Sequence, residues 1–596
     1  MGSNAVHLAP VEDPLTGSDQ ARGGHHSQPV LAEPAPPAPA PPTSAGPTPS
    51  PLLTEAPSVP QSSFLGRSGY ITSDDLAIDE TDAMQYGPAT GSTVGTLAEL
   101  QSSMLRAASH TCLPTPNLKM SLIRSFVERG IPWMPIVDRR ELDQLASQTP
   151  VSLLLTAALV AGSKLSAAPN ALEWGEKCYF YAKSLIFHGS GHSTLSLIIS
   201  TILLHWWNPS GPEHISLDSS SLWLRISVGL AHQHGLHREP DSSLPDAHLR
   251  RRIWWTLVTR DNQIATSHGR PRALRADDSN IKPLKLADFD NGDTHDALIF
   301  IHFVRIISIL ATITEHYRCG SLSELHRLNI ESDLLRWVNE LPPAISLYDT
   351  TSKRLTVYDL KIRQLHVPFF VALIIFYRSD TPGQQFSLAS LLSASFVSGI
   401  FEEYIAWGDI MFLAPASIFY LLVASLIQVS SYRYPNLARK AEAEISTVRI
   451  SLRELGKRFP TAHGAERIFE NLLRKSREKG MANQAFSRTL SSVQRELFAP
   501  FGPDLCASWS LVPSGTFDGL EGTSALERIS TVGGRPPHQP PTVQPEGFVG
   551  VDYRFDGQGG DPGMTGGLPP LPPAEVEDFT LGGLDFWWPD WTELDF

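Results

Sequence analysis

The stretch DSSSLWLRISVGLAHQHGLHREPDSSLPDAHLRRRIWWTLVTRDNQIATSHGRPRAL, residues 218–274, decides how the remainder of the chain is read. It spells two helices and a turn. Asp218 or a following serine can cap the first helix, because a short side-chain oxygen accepts from the free amides of the opening turn. Leu222, Ile226 and Leu230 then fall on one row, with Trp223 beside them. Gly235 stops this helix, since glycine enters the left-handed region without a Cβ penalty, and Leu236 beyond it can fold back onto Leu230. The second helix starts near Asp246 and carries Leu249, Ile253, Leu257 and Ile264 on one stripe. It ends near His268–Gly269, ahead of Pro271.

Working outward, residues 118–480 keep this helical character. In SLIRSFVERG, Leu122, Phe126 and Val127 share a face before Pro132 and Pro135 break the pattern. Apolar runs at 151–161, 195–207, 298–313, 363–377 and 410–429 are too long for ordinary strands, and period-two alternation is missing. The fold class that follows is all-α, a large helical bundle or array with disordered N- and C-terminal regions. The run at 410–429 approaches the length of a bilayer span. Pro415, Ser417, Ser425 and Gln428 interrupt it, which favours a core helix and no membrane partner.

The two ends differ in composition. Residues 1–117, with EPAPPAPAPPTSAGPTPSP at 33–51, are expected to be disordered, because Pro, Ala and Ser bury too little apolar surface to offset ordering entropy. Residues 481–574 read as a Gly/Pro-rich linker. In the tail, 575–596, Glu575, Glu577, Asp578, Asp585, Asp590, Glu593 and Asp595 alternate with Phe579, Leu584, Phe586, Trp587, Trp588, Trp591, Leu594 and Phe596. Acid keeps such a segment soluble while its aromatics stay available to a groove on another protein. Phe579, Leu584, Phe586, Trp587, Trp588, Trp591 and Phe596 are therefore candidate coactivator contacts.

A formal net charge of −14 argues against a surface that coats nucleic acid. The 4 cysteines, Cys112, Cys178, Cys319 and Cys506, are far apart, so they form neither a disulfide scaffold nor a thiolate cluster. The start has no basic n-region leading into an apolar stretch, so no secretory signal is expected. No GxSxG, HExxH, GxxxxGK[ST] or strand-borne GxGxxG occurs, and no catalytic or cofactor-binding residue is assigned. His232, His234 and His237 do not share one helical face, and no metal site is assigned to them. Arg250, Arg251 and Arg252 are expected to divide between solvent and structural ion pairs, with Asp261 a candidate partner. Arg474, Lys475, Arg477 and Lys479 read as a solvated helix end or a weak import signal.

Taken together, Trp223, then Gly235, Leu236, His237 and Arg238, then Arg252, Trp254, Trp255 and Asp261, then Gly269, Arg270 and Pro271 resemble the central signature of the fungal-specific transcription factor domain. ERGIPWMPIVDRRELDQL at 128–145 resembles its opening, and LKIRQLHVPFFVALIIFYRS at 360–379 resembles a later apolar helix. The resemblance implies a nuclear regulator of a metabolic or secondary-metabolite gene cluster. Such a protein would have a helical regulatory domain, a coactivator partner and a small-molecule effector. Members of the family usually carry an N-terminal Zn2Cys6 cluster, whose six thiolates this chain cannot supply. No cofactor is expected, zinc entering only with a cluster outside this chain. DNA targeting then falls to a DNA-binding partner, a homodimer or such a module. The rival readings are a helical enzyme or small-molecule binder, and a negative regulator that titrates zinc-cluster factors.

Overall fold

The computed structural model describes residue 64 and residues 92–148, 151–188, 192–289, 294–349, 351–378, 386–481 and 488–517. Among them the chain is helical without a strand; the only β-type pairing is an isolated bridge between Tyr348 and Leu355. The fold is all-α.

Helices gather around two apolar cores. The first is centred on α4 (Leu153–Lys164), every residue of which is buried. Its sequence, LLLTAALVAGSK, has no charge before its last residue, and Ser152 caps it by accepting from the Leu155 amide at 3.1 Å. Against α4 pack α2 (Pro116–Arg129), α5 (Ala171–His188) and α6 (Thr194–Leu203), with α3 (Arg139–Ser147) alongside. α1 (Ser92–Cys112) lies on α5. This core is closed by α7 (Ser220–Gln233) and by the first half of α8 (Ala247–His268), through Trp223, Leu224, Ile253, Trp254 and Leu257.

The second core holds α9 (Thr294–Arg318), α10 (Glu324–Asn339), α11 (Leu360–Phe376), α12 (Leu388–Trp407), α13 (Ala416–Ser431), α14 (Ala438–Gly456), α15 (Thr461–Glu478) and α16 (Ser492–Phe498). α8 touches α9 and α13 as well as α7, so it runs along the seam between the cores. Arg458, after α14, crosses the same seam, donating to the carbonyls of Lys164 at 3.0 Å and Ser166 at 2.7 Å.

The run at 410–429 is divided as its proline, Pro415, suggests. Asp409–Phe412 is a single 3-10 turn, and α13 begins only after Pro415. Two other helices, α9 and α12, are long and apolar enough to cross a bilayer, yet 61% and 78% of their apolar windows are buried inside the protein. That is the behaviour of core helices.

Order extends past both expected limits of the helical region. α1 falls within 1–117; Leu105, Ala108 and Cys112 press against the first core, and Cys178 donates its thiol to the Cys112 carbonyl. Downstream, residues 488–517 fall within the expected linker, yet Leu497, Phe498, Phe501, Leu505 and Leu511 are buried in the second core. This segment approaches α12 so closely that a Cβ on Gly399 would stand 2.1 Å from the Leu505 carbonyl oxygen. Neither stretch shows clear apolar periodicity, because each meets the core through a few isolated side chains. The Pro-rich 33–51 segment and the tail 575–596, with all its candidate coactivator contacts, lie outside the described residues.

Candidate functional site

The first signature helix is set in place by a polar relay. Ser219 caps α7, accepting from the Leu222 amide at 3.3 Å. Asp218 faces α5 instead, accepting from Tyr179 Oη at 2.7 Å and Lys183 Nζ at 2.6 Å. Tyr179 Oη in turn accepts from Trp223 Nε1 at 3.0 Å, and the Tyr179 ring stacks on Trp207 at 4.8 Å. Trp223 is thus both a buried apolar body and a fixed donor. The buried face of α7 is Trp223, Leu224, Ser227, Val228 and Ala231; Leu222, Ile226 and Leu230 are only partly covered. The expected stripe is therefore rotated, because Ser227 turns inward to bond Thr201 at 3.0 Å and His205 at 3.3 Å.

Gly235 has φ 74°, and the Leu236 amide bonds back to the Ala231 carbonyl at 2.9 Å, burying Leu236. At this corner the rings of His232 and His237 meet edge-on at 5.1 Å, next to Trp254. Burial pushes His232, His234 and His237 below the usual imidazole value, which leaves them neutral at pH 7. One contact has no counterpart in the sequence reading. Phe64 donates its backbone amide to the Gln233 carbonyl at 2.7 Å, and its ring meets His237 at 4.8 Å with the Arg238 guanidinium 5.8 Å away.

The arginine triplet is fully engaged. Arg250 pairs with Asp246 at 2.9 Å, and Arg251 with Glu239 at 2.7 Å and Asp288 at 2.9 Å. Arg252 donates to the Pro135 carbonyl at 2.8 Å and to the Asp288 carbonyl. Trp255 Nε1 reaches the Lys282 carbonyl at 2.9 Å. These bonds knit the GLHRE corner, the start of α8 and the 280s loop into one unit, with no guanidinium of the triplet left for phosphate. At the end of α15, Arg474 and Arg477 pair with Glu478 and Glu442 on the surface.

Asp261 is not the partner of these arginines. Its buried carboxylate receives the Ala273 amide at 2.8 Å and the Leu274 amide at 2.8 Å, so it shapes the GRPRAL loop. Burial raises its pKa, and the two amides partly offset that rise. Gly269, at φ 60°, ends α8; Arg270 then donates to the Pro212 carbonyl at 2.5 Å and Arg225 to the Pro271 carbonyl at 2.9 Å. Asp261 belongs to a run of five buried polar residues, Thr259, Arg260, Asp261, Asn262 and Gln263, where α8 crosses the seam. The sequence signal for them was an uninterrupted polar stretch inside a helix with apolar flanks. Among the described residues, no group of three or more His, Cys, Asp or Glu side chains is placed to hold a metal ion.

An all-helical fold with a Trp/Gly-Leu-His-Arg corner, an Arg-Trp-Trp helix and an Asp-pinned Gly-Arg-Pro loop defines a class of regulatory domain. Residues 123–331 match the family described as fungal specific transcription factor domain. The chain is similar to the acetamidase regulatory protein of Aspergillus fumigatus, at 27% identity over 64% of this chain and 52% of that one. It is also similar to the acetamidase regulatory protein of Emericella nidulans, at 25% identity over 60% and 47% of the two chains. A third relative is the cutinase transcription factor 1 alpha of Fusarium vanettenii, at 22% identity over 63% and 45%. The chain spans about half the length of these curated relatives. No solved structure matches it.

Proposed function

We propose that the chain is a nuclear, pathway-specific transcriptional regulator of a fungal metabolic or secondary-metabolite gene set. The supporting observation is the family match, which contains the whole 218–274 signature, together with relatives named as transcription factors and regulatory proteins. In this reading the helical domain controls output and the tail recruits coactivator through Phe579, Leu584, Phe586, Trp587, Trp588, Trp591 and Phe596. Because the triplet arginines are consumed internally and the chain carries −14, DNA contact is assigned to a partner, a second copy or a module outside this chain.

The experiment joins the full chain to an unrelated DNA-binding domain and measures reporter output and nuclear location. Replacing Trp587, Trp588 and Trp591 together by alanine should reduce output to that of the bare DNA-binding domain. Unchanged output would remove the tail from the mechanism, and no output from either fusion would remove the activator reading.

A further inference from the structure

Where α8 crosses the seam, a partly open cavity is lined by side chains of both cores. Met134 and Trp206 come from the first and Trp133, Phe303, Phe401, Tyr404 and Tyr420 pack with the second; Arg260 and Gln263 reach it from α8. It leaves about 40 Å³ for the centres of water-sized groups. A water needs roughly 10–15 Å³ on that measure, so the space suits a molecule of a few heavy atoms.

The lining is mostly apolar and aromatic, with Gln364 and Ser417 also on it, and among the described residues its buried cation has no anion. Arg260 is 8% exposed. Its Nη1 donates to Gln263 Oε1 at 3.1 Å, and among the described residues its buried Nε has no acceptor. Burial lowers its pKa to about 10, so it stays charged at neutral pH. The influences on that value include no carboxylate, only Tyr420. The neighbouring imidazoles give no compensation: burial and then nearby arginines, Arg260 among them, push both His205 and His268 down. A desolvated guanidinium without a counter-charge is costly, and an idle donor beside a void marks the place of a missing acceptor.

We propose that this seam cavity is the receptor site for a short-chain monocarboxylate, its carboxylate taken by Arg260 and its hydrocarbon end by the surrounding aromatic rings. A guanidinium matches the planar carboxylate, and the small space suits a short hydrocarbon chain. A bound anion would tie α8 to α12 and so hold the two cores in one arrangement. That regulatory consequence rests on the reading of the chain as a transcriptional regulator; the binding itself does not.

The test uses the purified full chain, with propionate and butyrate titrated by calorimetry and by tryptophan fluorescence, since Trp133 and Trp206 line the site. Propionamide, sodium chloride and sodium nitrate are run at matched ionic strength. Saturable binding of propionate or butyrate is expected, with propionamide at least about tenfold weaker because it lacks the charge that Arg260 needs. Arg260→Gln should abolish saturable binding. If Arg260→Gln fails to fold, Ala416→Phe, which fills the cavity from the start of α13, should abolish binding in its place. No saturable carboxylate binding, equal affinity for propionamide, chloride or nitrate, or unchanged binding by a folded Arg260→Gln would each overturn the proposal. Carboxylate binding combined with a silent reporter fusion would keep the site and discard the regulatory reading.

Discussion

Replacing Asp261 with alanine tests whether the GRPRAL loop is held by a single carboxylate. The substitution leaves the Ala273 and Leu274 amides, bonded at 2.8 Å each, without an acceptor in a buried place. An unsatisfied buried amide costs about 1–3 kcal/mol, so the gross loss is about 2–6 kcal/mol. Part of this is returned, because the carboxylate was itself desolvated, as its raised pKa reports. The net destabilisation is expected near the lower end, about 2–3 kcal/mol. Urea unfolding followed by tryptophan fluorescence measures the global effect. Hydrogen exchange of the 269–275 peptide measures the local one, and an acceleration of about thirty- to a hundred-and-sixtyfold corresponds to that energy. If exchange at Ala273 and Leu274 is unchanged while the protein remains folded, the carboxylate does not hold the loop and the argument fails.

Two further outcomes are expected. Burial pushes the Glu444 carboxyl up to about 7 from 4.5, with Ser395 Oγ donating to it at 2.5 Å. The native state therefore binds this proton more tightly than the unfolded chain. Its contribution is full below pH 4.5, declines as pH rises and is gone above about 7, a change of about 3 kcal/mol. Urea midpoints at pH 5 and pH 8 should show the stability of wild type relative to Glu444→Gln falling with pH, and a constant difference would contradict the assignment. Gly399→Ala places a methyl 2.1 Å from the Leu505 carbonyl oxygen, which neither backbone can yield cheaply. Limited proteolysis should then cut within 488–517 faster than in wild type, and an unchanged pattern would mean that this segment does not pack on α12.

Much of the fold was legible because its punctuation is local. Gly235 and Gly269 do take positive φ, Ser219 does cap α7, and Pro415 does divide the 410–429 run. What escaped depends on long-range packing. α1 and the 488–517 segment touch the cores through scattered residues, so no periodic signal announces them. The inward face of α7 is rotated because Ser227 finds partners on another helix, which spacing alone cannot reveal. The Arg250–Arg252 triplet stands out in the sequence of α8, yet Arg250 pairs with Asp246 at the helix start, Arg251 with Glu239 and Asp288, and Arg252 with backbone carbonyls. Arg260, one arginine among many in the sequence, becomes distinctive only when the two cores enclose it without an acid.

The Arg458 clamp has a bearing on synthesis. The carbonyls it grips belong to residues 294 and 292 positions upstream. At translation rates of about 5–20 residues per second, those oxygens emerge some 15–60 s before their donor. Through that interval the nascent first half presents an open flank on the ribosome, with half of the seam unlined. A polypeptide released before Arg458 would keep that flank uncovered, a ready surface for chaperones or for adhesion to its own copies.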